Sequence, residues 1–143
     1  MRALGIDVGR KRVGLAISDP SGTLARPLET LTFGQNAQPS TLAERVAAAV
    51  AALAAEDDGL VTIVVGKPLH LDGTESDETA RVAAFVDALR TRTTVPIVQE
   101  DERLTSREAE SRIAQREPDW RKRKQKLDAA AAAVILQDYL DKK

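Results

Sequence analysis

Residues 1–19 read MRALGIDVGRKRVGLAISD, and two runs within them have the apolar composition of buried strands. The runs are ALGIDVG and RVGLAISD, and Arg10 and Lys11 separate them. Asp7 interrupts the first run, although an ionised carboxylate removed from water is costly unless it is paired or holds a metal. The opening segment therefore predicts a β-hairpin in which Asp7 is either a turn residue or an acid that meets a cation.

The composition is typical of an ordinary globular protein. The chain has 143 residues, of which 43% are hydrophobic and 30% charged, and we predict one domain over residues 1–143. A formal net charge of -1 argues against bulk attraction to nucleic acid, so local basic clusters matter more. The absence of cysteine excludes thiolate zinc sites and fits a reducing cytosol. The longest apolar run is too short to span a bilayer, so we expect a cytoplasmic protein with no membrane partner.

The rest of the chain alternates between strand and helix patterns. GTLARPLETL predicts a third strand, and Pro39 introduces a helix with a capping box of Thr41 and Glu44. LVTIVVG fits a central strand covered on both faces, and a helix separates it from VPIVQ, a short buried strand. Thr105 opens a short third helix, and apolar periodicity predicts a last helix over about 127–140. This order predicts an antiparallel meander followed by βαβ units.

Acidic residues stand at three places where a carboxylate is unexpected. Asp7 lies in the first predicted strand, Glu100-Asp101-Glu102 ends VPIVQ, and Asp128 lies in the first turn of the last helix on its apolar side. Converging carboxylates repel unless a cation neutralises them, and Mg²⁺ is bound by carboxylates, water and phosphate. Two such ions, ~3.5–4 Å apart, suit phosphodiester cleavage. Taken singly, each acid is equally well a turn, helix-terminal or solvated loop residue. A nuclease site and unrelated acids therefore remain as alternatives.

Four sequence blocks in this order resemble one family. GIDVG with RVGLAISD, VVGKPLHLDGTE, DERLTS and LDAAAAAVIL resemble the YqgF family, also called RuvX, of Holliday-junction resolvases and pre-16S rRNA nucleases. The resemblance implies an α/β RNase H-like fold, with a five-stranded mixed sheet, its first three strands antiparallel, and helices on both faces. It also implies that Asp7, Glu102 and Asp128 are the catalytic and metal-binding acids, with Asp101 a candidate additional ligand. The implied cofactor is Mg²⁺ or Mn²⁺, with two ions expected.

Basic and polar residues near the acids are predicted to contact the phosphate backbone of a nucleic acid. Arg103 has the planar guanidinium that binds a phosphate bidentately, and its alternative is an ion pair with Glu100 or Asp101. His70, the single histidine, is expected to face solvent in a loop. The predicted substrate-binding residues are Arg10, Lys11, Arg12, Arg103, Arg121, Lys122, Arg123, Lys124 and Lys126, and the family resemblance adds Lys67 and Thr105.

The predicted function is a divalent-metal-dependent nuclease that cleaves phosphodiester bonds of structured nucleic acid. Its substrate is either the 5′ end of precursor 16S rRNA or a four-way DNA junction. Junction resolution would require a homodimer, whereas trimming of RNA needs only a monomer. The alternative is a non-catalytic RNA-binding ribosome-maturation factor on the same fold. An actin-like ATPase fragment is a weaker alternative, because the sequence has no Walker A loop.

Overall fold

The computed structural model describes residues 1–101 and 120–142, with the backbone alone at 120–127. In chain order the elements are β1 (Arg2–Val8), β2 (Arg12–Ser18), β3 (Ala25–Thr32), α1 (Pro39–Ala54), β4 (Leu60–Lys67), α2 (Asp77–Arg90), β5 (Ile97–Asp101) and α3 (Trp120–Asp141). Within the described residues the strands form one five-stranded sheet in the order β3-β2-β1-β4-β5. The first three strands pair antiparallel, and β4 pairs parallel with both β1 and β5. The mixed sheet with an antiparallel opening is therefore confirmed.

The sheet is covered by helices on both faces. On one face, Leu4 of β1 and Ile63 of β4 share a core with Val46 of α1 and Phe85 of α2, and all four are fully buried. Val64, the next residue along β4, is fully buried on the other face, where it packs in a cluster with residues of α3. Successive residues of a strand point to opposite faces, so a continuous apolar strand needs cover on both. The prediction that LVTIVVG is a central, doubly covered strand is confirmed.

The α3 helix approaches the sheet so closely that two strand positions have no room for a side chain. A Cβ atom at Gly5 of β1 would lie 2.7 Å from the Cβ of Leu136 and 2.8 Å from the carbonyl oxygen of Ala132. A Cβ atom at Gly14 of β2 would lie only 2.0 Å from the carbonyl oxygen of Asp128. These glycines let the helix backbone rest directly on the strands. The contact at Gly14 places Asp128 over β2.

The beginning of α1 differs from the prediction. The helix begins at Pro39, and its N-cap Gln38 makes no side-chain capping hydrogen bond. The predicted capping box of Thr41 and Glu44 is therefore wrong, because both residues lie inside the helix. Proline has the backbone angle of the first helical position and lacks the N–H that would be unsatisfied there, so the helix starts earlier than the serine and threonine signals suggest.

The beginning of α3 also differs from the prediction. The helix begins at Trp120 rather than near residue 127, so Asp128 lies in its third turn and not in its first. Arginine, lysine and glutamine fill residues 121–126, and these straight-chain residues are good helix formers. Apolar periodicity cannot detect a helical turn that has no apolar face, which explains the late predicted start. Within residues 1–101 and 120–142, none of the helices combines the length and apolarity needed to cross a membrane.

Candidate active site

Asp7 lies near the end of β1 on the face of the sheet that α3 covers. Its antiparallel pairing partner is Gly14 of β2, and Gly5, two residues earlier in β1, contacts α3 on the same face. The Asp7 side chain is partly buried. Because the facing residue is a glycine, the residue paired with Asp7 adds no side chain of its own on this face, and the backbone of α3 lies there instead. The strand thus fixes the position of an acid on the face of the sheet that α3 covers.

Asp128 reaches the same place from the helix. Its backbone rests against Gly14, the residue that pairs with Asp7. Its side chain accepts a hydrogen bond from Arg12, whose Nε lies 2.6 Å from Oδ2 of Asp128. The side chains of this ion pair are 30% and 22% exposed, so the pair is partly shielded from water. The structure therefore brings two of the three predicted catalytic acids, Asp7 and Asp128, to one face and one level of the sheet.

The third predicted acid, Glu102, lies outside the described residues. Arg103 and Thr105 also lie outside them, and so does the predicted short third helix. The backbone of the second basic cluster belongs to helix α3, but the side chains of this cluster lie outside the described part of the chain. The cluster consists of Arg121, Lys122, Arg123, Lys124 and Lys126. In the described part of the chain, no group of three histidine, cysteine, aspartate or glutamate side chains has the arrangement of a metal site.

Glu100 occupies a strand position and not the solvated loop considered from the sequence. It pairs in register with Gly66 of β4, and two residues earlier Val98 packs in the cluster beneath α3. Strand alternation therefore places Glu100 on the same face as Asp7. Its side chain is nine-tenths buried and forms an ion pair with Lys142, directly after α3. Hydrogen bonding and attraction to the Glu100 carboxylate raise the pKa of Lys142 above its usual value.

Three other predicted positions do not share the face that carries Asp7. Asp101 and Lys67 pair with each other in register at the ends of β5 and β4. Ile97 of β5 belongs to the core under α1 and α2, so alternation turns Asp101 toward that opposite face. The structure thus does not bring Asp101 or Lys67 to the side of the sheet where Asp7 lies. His70 is exposed in the loop after β4, as expected.

The turn between β1 and β2 carries exposed basic residues beside the acids. Arg10 and Lys11 are both exposed, and Arg10 forms an ion pair with Glu78 of α2 at 2.7 Å. Arg81 of α2 donates a hydrogen bond to the carbonyl oxygen of Gly9 at 2.8 Å and so connects this turn to α2. Sequence reasoning missed the role of Arg81, because a contact between residues this distant in the chain has no local signal.

Comparisons with known proteins match this chain over almost its whole length. A family model for RuvX, described as Holliday junction resolvase, matches residues 1–142. The chain belongs to the RuvX family. A RuvX relative from Chloroflexus aggregans, provisionally named pre-16S rRNA nuclease, is 41% identical over 138 residues, which are 96% of this chain and 92% of the relative. The family indicated by the four sequence blocks is therefore confirmed, and the chain is a member of a nuclease family.

Two solved structures share the RuvX chain's fold. The RuvC protein of T. thermophilus, solved with a Holliday junction substrate, superposes with a TM-score of 0.57 at 18% identity and covers 98% of this chain and 93% of its own. A Fowlpox virus resolvase, solved with Holliday junction DNA, gives a TM-score of 0.58 at 12% identity and covers 99% and 98%. At such low identity the likeness establishes the fold, and the predicted RNase H-like architecture is confirmed.

Proposed function

We propose that this RuvX chain is a divalent-metal-dependent nuclease that cleaves phosphodiester bonds of structured nucleic acid at a site centred on Asp7 and Asp128. The observation that carries the proposal is that both acids adjoin Gly14, since Asp7 pairs with it in the sheet and the backbone of Asp128 in α3 lies against it. Two carboxylates held at one level on rigid elements form a preorganised site, which surface acids with no shared role would not need.

The donor set fits a hard divalent ion. Asp7 and Asp128 offer carboxylate oxygens, and Mg²⁺ is usually bound through one or two carboxylates together with water and substrate phosphate. Glu102 follows directly after β5 and is proposed as the third ligand. When bound, Mg²⁺ or Mn²⁺ would supply an activated water and stabilise the leaving oxygen, with two ions the proposed number. The ion pair between Asp128 and the Arg12 guanidinium supports the proposal, because this carboxylate has a cationic partner at the site.

The chain's own basic residues would position the nucleic acid. Arg10 and Lys11 are exposed on the turn that follows Asp7, where a phosphate backbone crossing the site would pass. With a formal net charge of -1 for the whole protein, such local clusters have to provide the attraction. We propose that the second basic cluster, residues 121–126 at the beginning of α3, also binds the phosphate backbone.

The first candidate substrate is the 5′ end of precursor 16S rRNA, because the similar relative from Chloroflexus aggregans is named for that substrate. The protein would then act as a cytoplasmic monomer. The second candidate is a four-way DNA junction, after the description of the family model, and cutting of paired strands would then require a homodimer. The family match over residues 1–142 favours the nuclease over the actin-like ATPase fragment.

The test compares wild type with Asp7→Asn and with the control Asp87→Asn, which changes an exposed aspartate of α2. Each protein is incubated with labelled precursor rRNA and a synthetic four-way junction in Mg²⁺, Mn²⁺ or EDTA. We expect cleavage of one substrate that needs metal, disappears in Asp7→Asn while binding persists, and survives in Asp87→Asn. Binding without metal-dependent cleavage by the wild type would instead support a non-catalytic ribosome-maturation factor.

A further inference from the structure

Arg12 is tied to the candidate site by both its backbone and its side chain. It is the first residue of β2, and its carbonyl oxygen accepts a hydrogen bond from the amide of Gly9 at 2.8 Å. Its guanidinium Nε donates to Asp128 at 2.6 Å, across 116 residues of chain. Hydrogen bonds between two charged groups are among the strongest in proteins, and partial burial limits screening by water and salt. Arg12 therefore is a fixed part of the site and does not simply point into solvent.

The guanidinium also lies on the face that carries the other acid. Arg12 and Gly14 are two residues apart in β2 and so share a face, and Gly14 is paired with Asp7. A positive charge bonded to Asp128 thus lies on the face of the sheet that carries Asp7, where it offsets the repulsion between the two carboxylates. Arg12 therefore supplies part of the positive charge that this pair of acids requires.

A divalent ion and the guanidinium compete for the same acid. An ion bound to Asp128 would lie within a few ångströms of Arg12, and the repulsion between them is substantial at the effective dielectric constant near a protein surface. Arginine cannot relieve this repulsion by losing its proton, because a guanidinium group stays protonated in proteins. The group has to find another anion, and a phosphate offers the planar, two-point contact that a guanidinium prefers.

Resting on the proposed function, we infer that Arg12 is an exchangeable counter-ion. It holds Asp128 in the substrate-free protein and transfers to a substrate phosphate when a divalent ion binds the acids. The exchange makes metal binding unfavourable until nucleic acid arrives, so metal and substrate support each other's binding. This role differs from that of a simple substrate contact, because it assigns Arg12 a partner and an energetic effect in the free protein.

The decisive measurement is the Mn²⁺ affinity of the free protein, determined by calorimetric titration. We expect Arg12→Gln to bind Mn²⁺ roughly tenfold more tightly than wild type, as for removal of a like charge a few ångströms from a cation. The control Arg90→Gln removes the same charge from an arginine that faces Asp87 on α2, and it should leave the affinity unchanged. Unchanged or weaker Mn²⁺ binding by Arg12→Gln would overturn the inference, since a structural or ligand-orienting arginine gives that result.

A second measurement uses the wild-type chain and does not depend on the folding of a variant. The Nε–H proton of Arg12 is observed by NMR while Mg²⁺ is added in the presence of a four-way junction or precursor rRNA. We expect its environment to change as the bond to Asp128 is released, and an unchanged resonance at saturating Mg²⁺ would refute the exchange. Tighter Mn²⁺ binding by Arg12→Gln without any cleavage by wild type would preserve the counter-ion role and reject the nuclease function. Absence of Mn²⁺ binding in the free wild type and in free Arg12→Gln would overturn the counter-ion role, and metal-dependent cleavage by the wild type would then decide the nuclease function separately.

Discussion

Substitution of Gly14 by alanine tests how the site is built. The new Cβ atom would lie 2.0 Å from the carbonyl oxygen of Asp128, 2.3 Å from its carbonyl carbon and 2.9 Å from the amide nitrogen of Ala129. All three are backbone atoms, so no side-chain rotation relieves the overlap. Because contacts under 3.0 Å are essentially never formed by real Cβ atoms, the helix and the strand must separate by about 1 Å or more.

Two effects of Gly14→Ala follow from this displacement. Overpacking of this kind destabilises proteins by about 1–3 kcal/mol and occasionally more. The same movement carries Asp128 away from Asp7, and a misplacement of about 1 Å costs roughly a hundredfold in activity. Urea unfolding at neutral pH measures the first effect, and metal-dependent cleavage by the folded fraction measures the second.

The matched control is Gly34→Ala. A Cβ atom at Gly34 meets nothing within 4 Å, so we expect a change in stability within about 0.5 kcal/mol and unchanged cleavage. The reasoning is refuted if Gly14→Ala unfolds at the same urea concentration as Gly34→Ala and cleaves as well. That result would mean that α3 does not rest on β2 at this position.

Three further predictions concern stability, each measured by urea unfolding with wild type in parallel. Leu136→Ala should cost about 2–5 kcal/mol, because this side chain is fully buried under α3, and a smaller loss would show that the helix is loosely packed. Because the pKa of Lys142 is raised, its pairing with Glu100 stabilises the fold fully below the ordinary lysine pKa, and this stabilisation is lost as pH rises through the raised pKa. The free energies of unfolding of wild type and Lys142→Gln should therefore converge in alkali. A difference between them that does not change with pH would contradict the pairing. The pKa of Asp19 is lowered mainly by a hydrogen bond from the hydroxyl of Ser21, so the ionised Asp19 stabilises the fold above the ordinary aspartate pKa, and this stabilisation is lost as pH falls. Asp19→Asn should therefore be less stable than wild type at neutral pH and equally stable in strong acid.

The fold was predictable from the sequence wherever the pattern follows the period of the secondary structure. The alternating hairpin, the continuous apolar β4 and the apolar stripe of α2 each bury a recognisable set of side chains. The start of α3 was not predictable in the same way. Residues 121–126 carry no apolar face, and only their helix propensity, a weak signal, favours the early start at Trp120.

The candidate site was predictable in part for a related reason. Asp7 and Asp128 stand out because each carboxylate interrupts an apolar pattern, and the structure brings them together. The partners of the charged residues have no such local signal. Arg12 was predicted to bind substrate, yet its side chain bonds to an acid 116 residues away. A solvated loop was one of the alternatives for Glu100, yet β5 continues through it and Lys142 pairs with it from the far end of the chain. Such pairs depend on how helices and strands are packed, which residue types alone do not reveal.

The position of a bound divalent ion shows whether Asp7 and Asp128 form a metal site. Crystals are grown with Mn²⁺ and a nucleic-acid oligonucleotide, and the anomalous signal of manganese is measured. We expect an ion about 2 Å from carboxylate oxygens of both Asp7 and Asp128, with Arg12 no longer bonded to Asp128. Carboxylates that bind no ion at saturating Mn²⁺, or an ion bound away from both acids, would contradict this expectation.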